Sequence, residues 1–269
     1  MIVIAEKING TRKAVAKAIR EKDADFIRDL AKTQADAGST YLDVNAGTAP
    51  ERESDDMIWL VNTIQEVCEL PLALDSANPQ ALKAGLAVAA KKPMINSVSG
   101  EQSRIDGVLP LALEYKTELI LLALDDHGIP ENVEGRLKIV RDLVKRALDG
   151  GLEQKQLYID PLVTAISTGT ENAKITFGTI EAIIDEFPDV HITGGASNIS
   201  FGMPLRPLIN RFFIAMAIQA GMDSAIINPN DRELNEAIMT AETLMGRDKF
   251  CMNFNRAFRA GKIGPKKPE

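Results

Sequence analysis

Leu72-Ala73-Leu74-Asp75-Ser76-Ala77-Asn78 is an apolar run that stops on a carboxylate and then an amide, and the helix-forming segment PQALKAGLAVAAKK follows at once. A buried strand, a polar ending and a helix make one β-turn-α unit. The same order recurs along the chain. Apolar runs rich in Ile, Val and Leu lie near 2–6, 41–45, 72–75, 94–97, 119–124, 157–160, 190–194 and 224–228. Helical periodicity fills most of the intervals: 23–37 carries Phe26, Ile27, Leu30 and Ala31 on one stripe, and 137–148 carries Ile139, Val140, Leu143 and Val144. A further short helix near 11–20, with Thr11 as its N-cap, follows the first run. Eight such units predict an α/β fold, a single (β/α)8 TIM barrel, with an open doubly wound sheet as the structural alternative. The 269 residues suit one such domain over 1–269, since these barrels run to about 250 residues. The end from about residue 262 reads as a flexible, solvated tail.

Charge and composition narrow the function. Acidic residues outnumber basic ones and the net charge is −7, which argues against a nucleic-acid partner. Only Cys68 and Cys251 are present, so neither a disulfide framework nor a cysteine-rich metal site is expected, and a reducing cytoplasm fits. The N-terminal MIVIAEKING is too short an apolar run for a signal peptide, and no apolar stretch reaches the roughly 18 residues of a membrane span. The expectation is a cytoplasmic protein without a membrane partner.

In a barrel of this kind the loops after the strands build the active site. The runs here end on Glu6 with Asn9, Asp43 with Asn45, Asp75 with Asn78, Asn96 with Ser97, Asp125 with Asp126, Asp160, Ser197 with Asn198, and Asn228. Each alone could be a cap for the next helix, and Asn78 before Pro79 reads that way. Together they predict a mouth rich in carboxylates and amides and poor in bases. Such groups suit a flat heterocycle carrying amino, ring N–H and carbonyl groups.

Other chemistries find less support. Neither GxxxxGK[ST] nor GxGxxG occurs, and the pair Gly194-Gly195 is too short a signal for a phosphate loop. Ser167-Thr168-Gly169-Thr170 could hold an anion, although a helix cap is the ordinary reading. HExxH is absent and the histidines are His127 and His191, the latter opening a strand and so expected away from the mouth. Asp43, Asp75 and Asp160 could hold a divalent ion on spacing alone, but the many amides favour no bound metal. GxSxG is absent as well. Cys68 reads as a buried helical thiol, Lys7 as an exposed loop ammonium and Trp59 as packing, with a partner surface as its other reading. Asp125-Asp126-His127-Gly128 approaches the DxHxxG cobalamin-binding signature, yet Pro130 stands where the glycine belongs.

The sequence resembles the methyltetrahydrofolate:corrinoid protein methyltransferases, pterin-binding barrels related to the folate domain of cobalamin-dependent methionine synthase. The resemblance covers nearly the whole chain. Its carriers are Glu6-Lys7-Ile8-Asn9-Gly10, Leu42-Asp43-Val44-Asn45, Leu74-Asp75-Ser76, Met94-Ile95-Asn96-Ser97, Tyr158-Ile159-Asp160-Pro161-Leu162, Ser197-Asn198-Ile199-Ser200 and Arg206-Pro207-Leu208-Ile209-Asn210. It implies a homodimer that moves a methyl group between N5 of tetrahydrofolate and the cobalt of a corrinoid (cobalamin) held by a separate corrinoid-binding protein, with methyltetrahydrofolate or tetrahydrofolate as substrate. It implies that Asp75, Asn96 and Asp160 hydrogen-bond the pterin, that Asn198 interacts with N5, and that Arg206 lines the site. Glu6, Asn9, Asp43, Asn45, Ser97 and Ser197 complete the candidate substrate-binding set. The loops at 167–170 and 201–204 match least well, which leaves the partner and the folate-tail preference open. A dihydropteroate synthase-like enzyme and a non-catalytic folate-binding protein are the alternatives.

Overall fold

The computed structural model describes residues 1–265. Its strands are β1 (Ile2–Asn9), β2 (Tyr41–Asn45), β3 (Leu72–Asp75), β4 (Met94–Gly100), β5 (Glu118–Asp125), β6 (Leu157–Asp160), β7 (His191–Ile192) and β8 (Ser224–Ile227). They form one parallel sheet in the order β7-β6-β5-β4-β3-β2-β1-β8. Just past β7, Gly195 bridges Ile226, and the Ile226 N–H donates to the Gly194 carbonyl at 3.0 Å. That contact joins the two ends of the sheet, so the architecture is a (β/α)8 barrel.

Local sequence explains where the helices start. Asp23 accepts from the Phe26 N–H at the head of Ala24–Asp36, and Asn132 accepts from the Gly135 N–H at the head of Val133–Asp149. Asn78 accepts from the Gln80 N–H at 3.0 Å with Pro79 in the first turn of Pro79–Val88. Thr11 does not cap its helix. Lys13–Glu21 starts after Arg12, one residue later than expected and without a side-chain cap, while the Thr11 hydroxyl donates to Asn9 Oδ1 at 2.6 Å.

Two apolar cores follow from strand alternation. Leu42, Val44, Leu74, Ile95, Leu121 and Ile159 face outward and pack with helix residues such as Ile27, Leu60, Leu82 and Val140. Ile4, Tyr41, Ala73, Met94, Ile120 and Tyr158 face inward and fill the barrel itself. Cys68 is buried, though it lies past the end of the helix Pro50–Gln65 rather than on it. Lys7 is part of β1 and half-buried, not a loop ammonium, since β1 runs on to Asn9. Trp59 is half-buried, with Lys22 Nζ 4.6 Å from its ring centroid.

Near the chain end, Arg232 donates to the carbonyls of Gly261 and Gly264 at 2.9 and 2.8 Å, and Ile263 is buried. The rest of the expected tail, 266–269, lies outside the described residues. Among the described residues no helix is long and apolar enough to cross a membrane.

The strand starts hold a polar cluster at the opposite end from the candidate mouth. The Tyr41 hydroxyl donates to Glu118 at 2.8 Å, the Tyr158 ring stacks on His191 at 4.5 Å, and His191 Nδ1 is 2.6 Å from Asp223. Hydrogen bonding to Asp223 raises the His191 pKa above 6.5, against a smaller opposing effect of burial. A raised folded value means that the stabilisation is complete below the unfolded pKa and is lost as pH rises through the folded one. His191→Asn should therefore cost about 1 kcal/mol below pH 6.5 and progressively less as the pH rises above it. Thermal melts of both proteins across that range provide the check; a deficit that grew with pH would contradict the pairing.

Candidate active site

Inward positions at the upper ends of β2, β3, β4 and β6 are occupied by Asp43 and Asn45, Asp75, Asn96 and Asp160. The two-residue period puts Tyr41 below Asp43, Ala73 below Asp75, Met94 below Asn96 and Tyr158 below Asp160, so each polar group rests on the apolar filling. Registry makes neighbours of Asn9 and Asn45, and of Asp75 and Asn96.

Two amide-carboxylate hydrogen bonds tie the β2–β4 arc together. Asn96 Nδ2 donates to Asp43 Oδ1 at 3.0 Å, and Asn45 Nδ2 donates to Asp75 Oδ2 at 2.9 Å. Asp43 is buried, and desolvation together with the Asp75 charge pushes its carboxyl well above the usual range, with Asn96 opposing and Glu6 adding repulsion. Burial also raises Asp75, against the Asn45 hydrogen bond and the Arg104 charge. The arc therefore favours holding a proton or meeting hydrogen-bond donors.

Asp160 faces this arc from β6. Burial raises its pKa to about 6, while the Leu162 N–H, donated to Oδ1 at 2.8 Å, and the Arg136 charge pull it down. The Gly194-Gly195 pair is explained by close approach. A Cβ on Gly194 would sit 3.1 Å from Asp160 Oδ1, and one on Gly195 would sit 3.1 Å from Asn198 Nδ2. Backbone without side chains thus lies between Asp160 and Asn198.

Asn198 is exposed on the short 3-10 helix Ala196–Ser200. Arg206, at the start of the helix Arg206–Ala220, braces that turn: Nε donates to Ser200 Oγ at 3.1 Å and Nη2 to the Ser197 carbonyl at 2.9 Å. Ser197 is joined to the site through its carbonyl rather than through its hydroxyl.

The remaining candidates are placed less centrally. Glu6 accepts from Arg12 at 2.9 Å, and Asn9 Oδ1 accepts from both the N–H and the hydroxyl of Thr11. Ser97 is half-buried and follows Asn96 across a cis peptide bond. The segment 167–170 precedes the helix Asn172–Glu186 without capping it; Thr168 donates to the Ala165 carbonyl at 2.9 Å. Exposed His127 lines a cleft of about 470 Å³ against the helix Val133–Asp149, not the carboxylate arc. Among the described residues no group of three His, Cys, Asp or Glu side chains is arranged to hold a metal ion.

Two arginines escaped the sequence reading. Arg104 donates to the Ala77 carbonyl at 2.7 Å and lowers Asp75, while Arg136 is fully buried beside the Asp160 loop. A signal for Arg136 was present: it lies four, seven and eleven residues before Val140, Leu143 and Ala147 on the buried stripe of its helix.

Over residues 5–228 the chain matches the family described as pterin-binding enzymes, and it belongs to that family. It is 43% identical over 267 residues to the methylcorrinoid:tetrahydrofolate methyltransferase of Eubacterium limosum, with 98% of each chain covered. Methionine synthase of Mycobacterium tuberculosis is 30% identical over 241 residues, which cover 85% of this chain and 20% of that protein. Among solved structures, dihydropteroate synthase of Yersinia pestis with a pterine-sulfa conjugate superposes with a TM-score of 0.70 at 13% identity, covering 91% of this chain and 94% of that one. The Coxiella burnetii dihydropteroate synthase with pteroic acid gives 0.68 at 16%, covering 92% and 93%. At these identities the structural likeness establishes the fold alone.

The raised pKa of Asp160 has a stability consequence. Ionising the buried group costs nothing below its ordinary 3.8 and its full amount above about 6. Asp160→Asn, which keeps an acceptor for the Leu162 N–H, should stabilise the protein by about 1–3 kcal/mol at pH 8 and hardly at all at pH 4. Paired melting curves at the two pH values measure this, and an equal change at both would refute it.

Proposed function

We propose that this chain transfers a methyl group between N5 of tetrahydrofolate and the cobalt of a corrinoid held by a separate protein. The observation that carries the reading is the match to a methylcorrinoid:tetrahydrofolate methyltransferase over 98% of both chains. The acceptor-rich mouth supports it, since a pterin presents amino and ring N–H donors that need carboxylate and amide oxygens. Asp75, Asn96 and Asp160 bind the pterin on this reading, Asp43 and Asn45 hold the first two in place, and Asn198 lies nearest N5. Exposed Phe201 and Leu205, 67% and 73% accessible beside Arg206, give an incoming corrinoid protein an apolar rim.

The reaction poses a leaving-group problem. The corrinoid supplies a reduced cobalt centre able to take the methyl carbon. As the N5–methyl bond breaks, its electron pair stays on N5 and must be met by a proton. Among the described residues no imidazole or ammonium is recorded against Asn198, and the proton reaches N5 from solvent through hydrogen bonds on this reading. The Asn198 side-chain oxygen accepts from protonated N5 and is worth more in the transition state than in the bound substrate. Reversal of the same steps methylates tetrahydrofolate.

Incubating the pure protein with methyltetrahydrofolate and cob(I)alamin while recording the visible spectrum tests the proposal. Formation of methylcobalamin supports it. Folate binding without transfer would leave a carrier, and synthesis of dihydropteroate from a pterin pyrophosphate and p-aminobenzoate would mark the other enzyme class. Asn198→Ala should slow single-turnover transfer by roughly ten- to a thousandfold, about 1.4–4 kcal/mol of barrier, with a smaller loss of folate affinity. Stopped-flow traces at saturating methyltetrahydrofolate separate this from a structural role, which would lower the melting temperature and leave turnover intact. Asp75→Ala should weaken folate binding by about 1.5–3 kcal/mol, read by calorimetry on the folded variant.

A further inference from the structure

We infer that Arg136 is a positioning residue for the site: its guanidinium fixes the loop after β6 so that Asp160 presents one carboxylate oxygen to the substrate. The inference deepens the folate reading above and rests on it. Arg136 comes from a different unit of the barrel, the helix Val133–Asp149, and is 2% exposed. Among the described residues it makes no ion pair. Its donors go to backbone instead: Nε to the Pro130 carbonyl at 3.0 Å, and Nη1 to the carbonyls of Pro161 and Leu162, each at 2.7 Å.

Those two carbonyls belong to the turn that orients Asp160. Leu162 has φ of 63°, the left-handed region that a branched side chain rarely occupies unless its surroundings hold it there. It is held from both sides, its carbonyl by Arg136 and its N–H by Asp160 Oδ1 at 2.8 Å. One carboxylate oxygen is thus committed to the turn. The other carries no hydrogen bond from the described residues and is left for a donor on the substrate. The fork of a guanidinium is needed because two adjacent carbonyls and a third from another loop must be met at once, which an ammonium on a flexible stem does not reproduce. Its positive charge has a second effect, since it favours the ionised Asp160 that a donor-bearing ligand requires.

Two substitutions separate the effects. Arg136→Lys keeps the charge and loses the fork, whereas Arg136→Gln loses the charge. Calorimetry of methyltetrahydrofolate binding across pH should show affinity weakened roughly 5- to 50-fold in both. On acidification, binding by the Gln variant should fail at a higher pH than binding by the wild type, while the Lys variant keeps the wild-type midpoint. Adding Leu162→Gly to Arg136→Lys should recover part of the loss, because glycine adopts positive φ without outside help. Lower melting temperatures with unchanged affinity and pH midpoint would overturn the inference. So would failure of both variants to fold with folate present, since Arg136 would then be a requirement of the core alone. A wild-type protein that bound no folate would instead overturn the functional reading.

Discussion

Side chains in a strand alternate between its two faces, and in a closed barrel the inward face is a column of fixed height. Tyr41, Ala73, Met94 and Tyr158 fill the lower part of that column, and Asp43, Asp75, Asn96 and Asp160 sit immediately above them. The polar groups have hydrocarbon beneath and water only above. Desolvation is accordingly the leading cause of the raised pKa at Asp43, Asp75 and Asp160 alike. One constraint, the period of two, thereby sets the shape of the mouth, its composition and its electrostatics. Shifting any strand by one residue would send its carboxylate to the helix side and an aliphatic group to the mouth.

A site so rich in acceptors is self-repelling unless something offsets the charge. Among the described residues no lysine or arginine reaches the Asp43–Asp75 arc by direct hydrogen bond. The compensation is instead divided among amides that donate to both carboxylates, Arg104 acting at a distance on Asp75, and Arg136 acting on Asp160. Both arginines are anchored to backbone carbonyls of the loops that carry the acids, at Ala77 for Arg104 and at Pro161 and Leu162 for Arg136. Charge and loop geometry are consequently supplied by the same side chains. A neutral replacement disturbs both at once, and for that reason a charge-preserving and a charge-deleting variant are needed to tell them apart.

The barrel was legible because run length, alternation and caps agree. Asp23 and Asn78 each stand where a helix begins, and the endings Asp43, Asp75, Asn96 and Asp160 are inward positions, whereas Asp125 turns to the helix side. What escaped was of three kinds. Thr11 has the chemistry of a cap, but it closes a turn with Asn9 and the helix starts one residue later, at a boundary that a residue's own propensity does not fix. The glycine pair at 194–195 has no phosphate spacing because its purpose is steric, to let the chain pass between Asp160 and Asn198. Arg136 sat on the apolar stripe of its helix, a placement that signals burial but does not name the carbonyls it meets. Asn9 was included by its place at a strand end, and its side-chain oxygen also serves the turn to Thr11.

The free site already contains two internal hydrogen bonds, and that bears on what it selects. Asn45 and Asn96 each spend one N–H on Asp75 and Asp43, so neither carboxylate is left unpaired, yet each retains a second oxygen without a partner among the described residues. The amide oxygens are likewise uncommitted. What remains presented is rich in acceptors, held in position by internal donors before any ligand arrives, which limits the ordering cost of binding. A ligand whose edge carries several N–H groups satisfies these oxygens together. One that replaces a donor with an acceptor sets lone pairs against lone pairs in a place where burial has already made the carboxylates costly to ionise, and it would have to bring a proton with it. Discrimination of this kind arises from unpaired groups rather than from shape, and it is the stronger of the two.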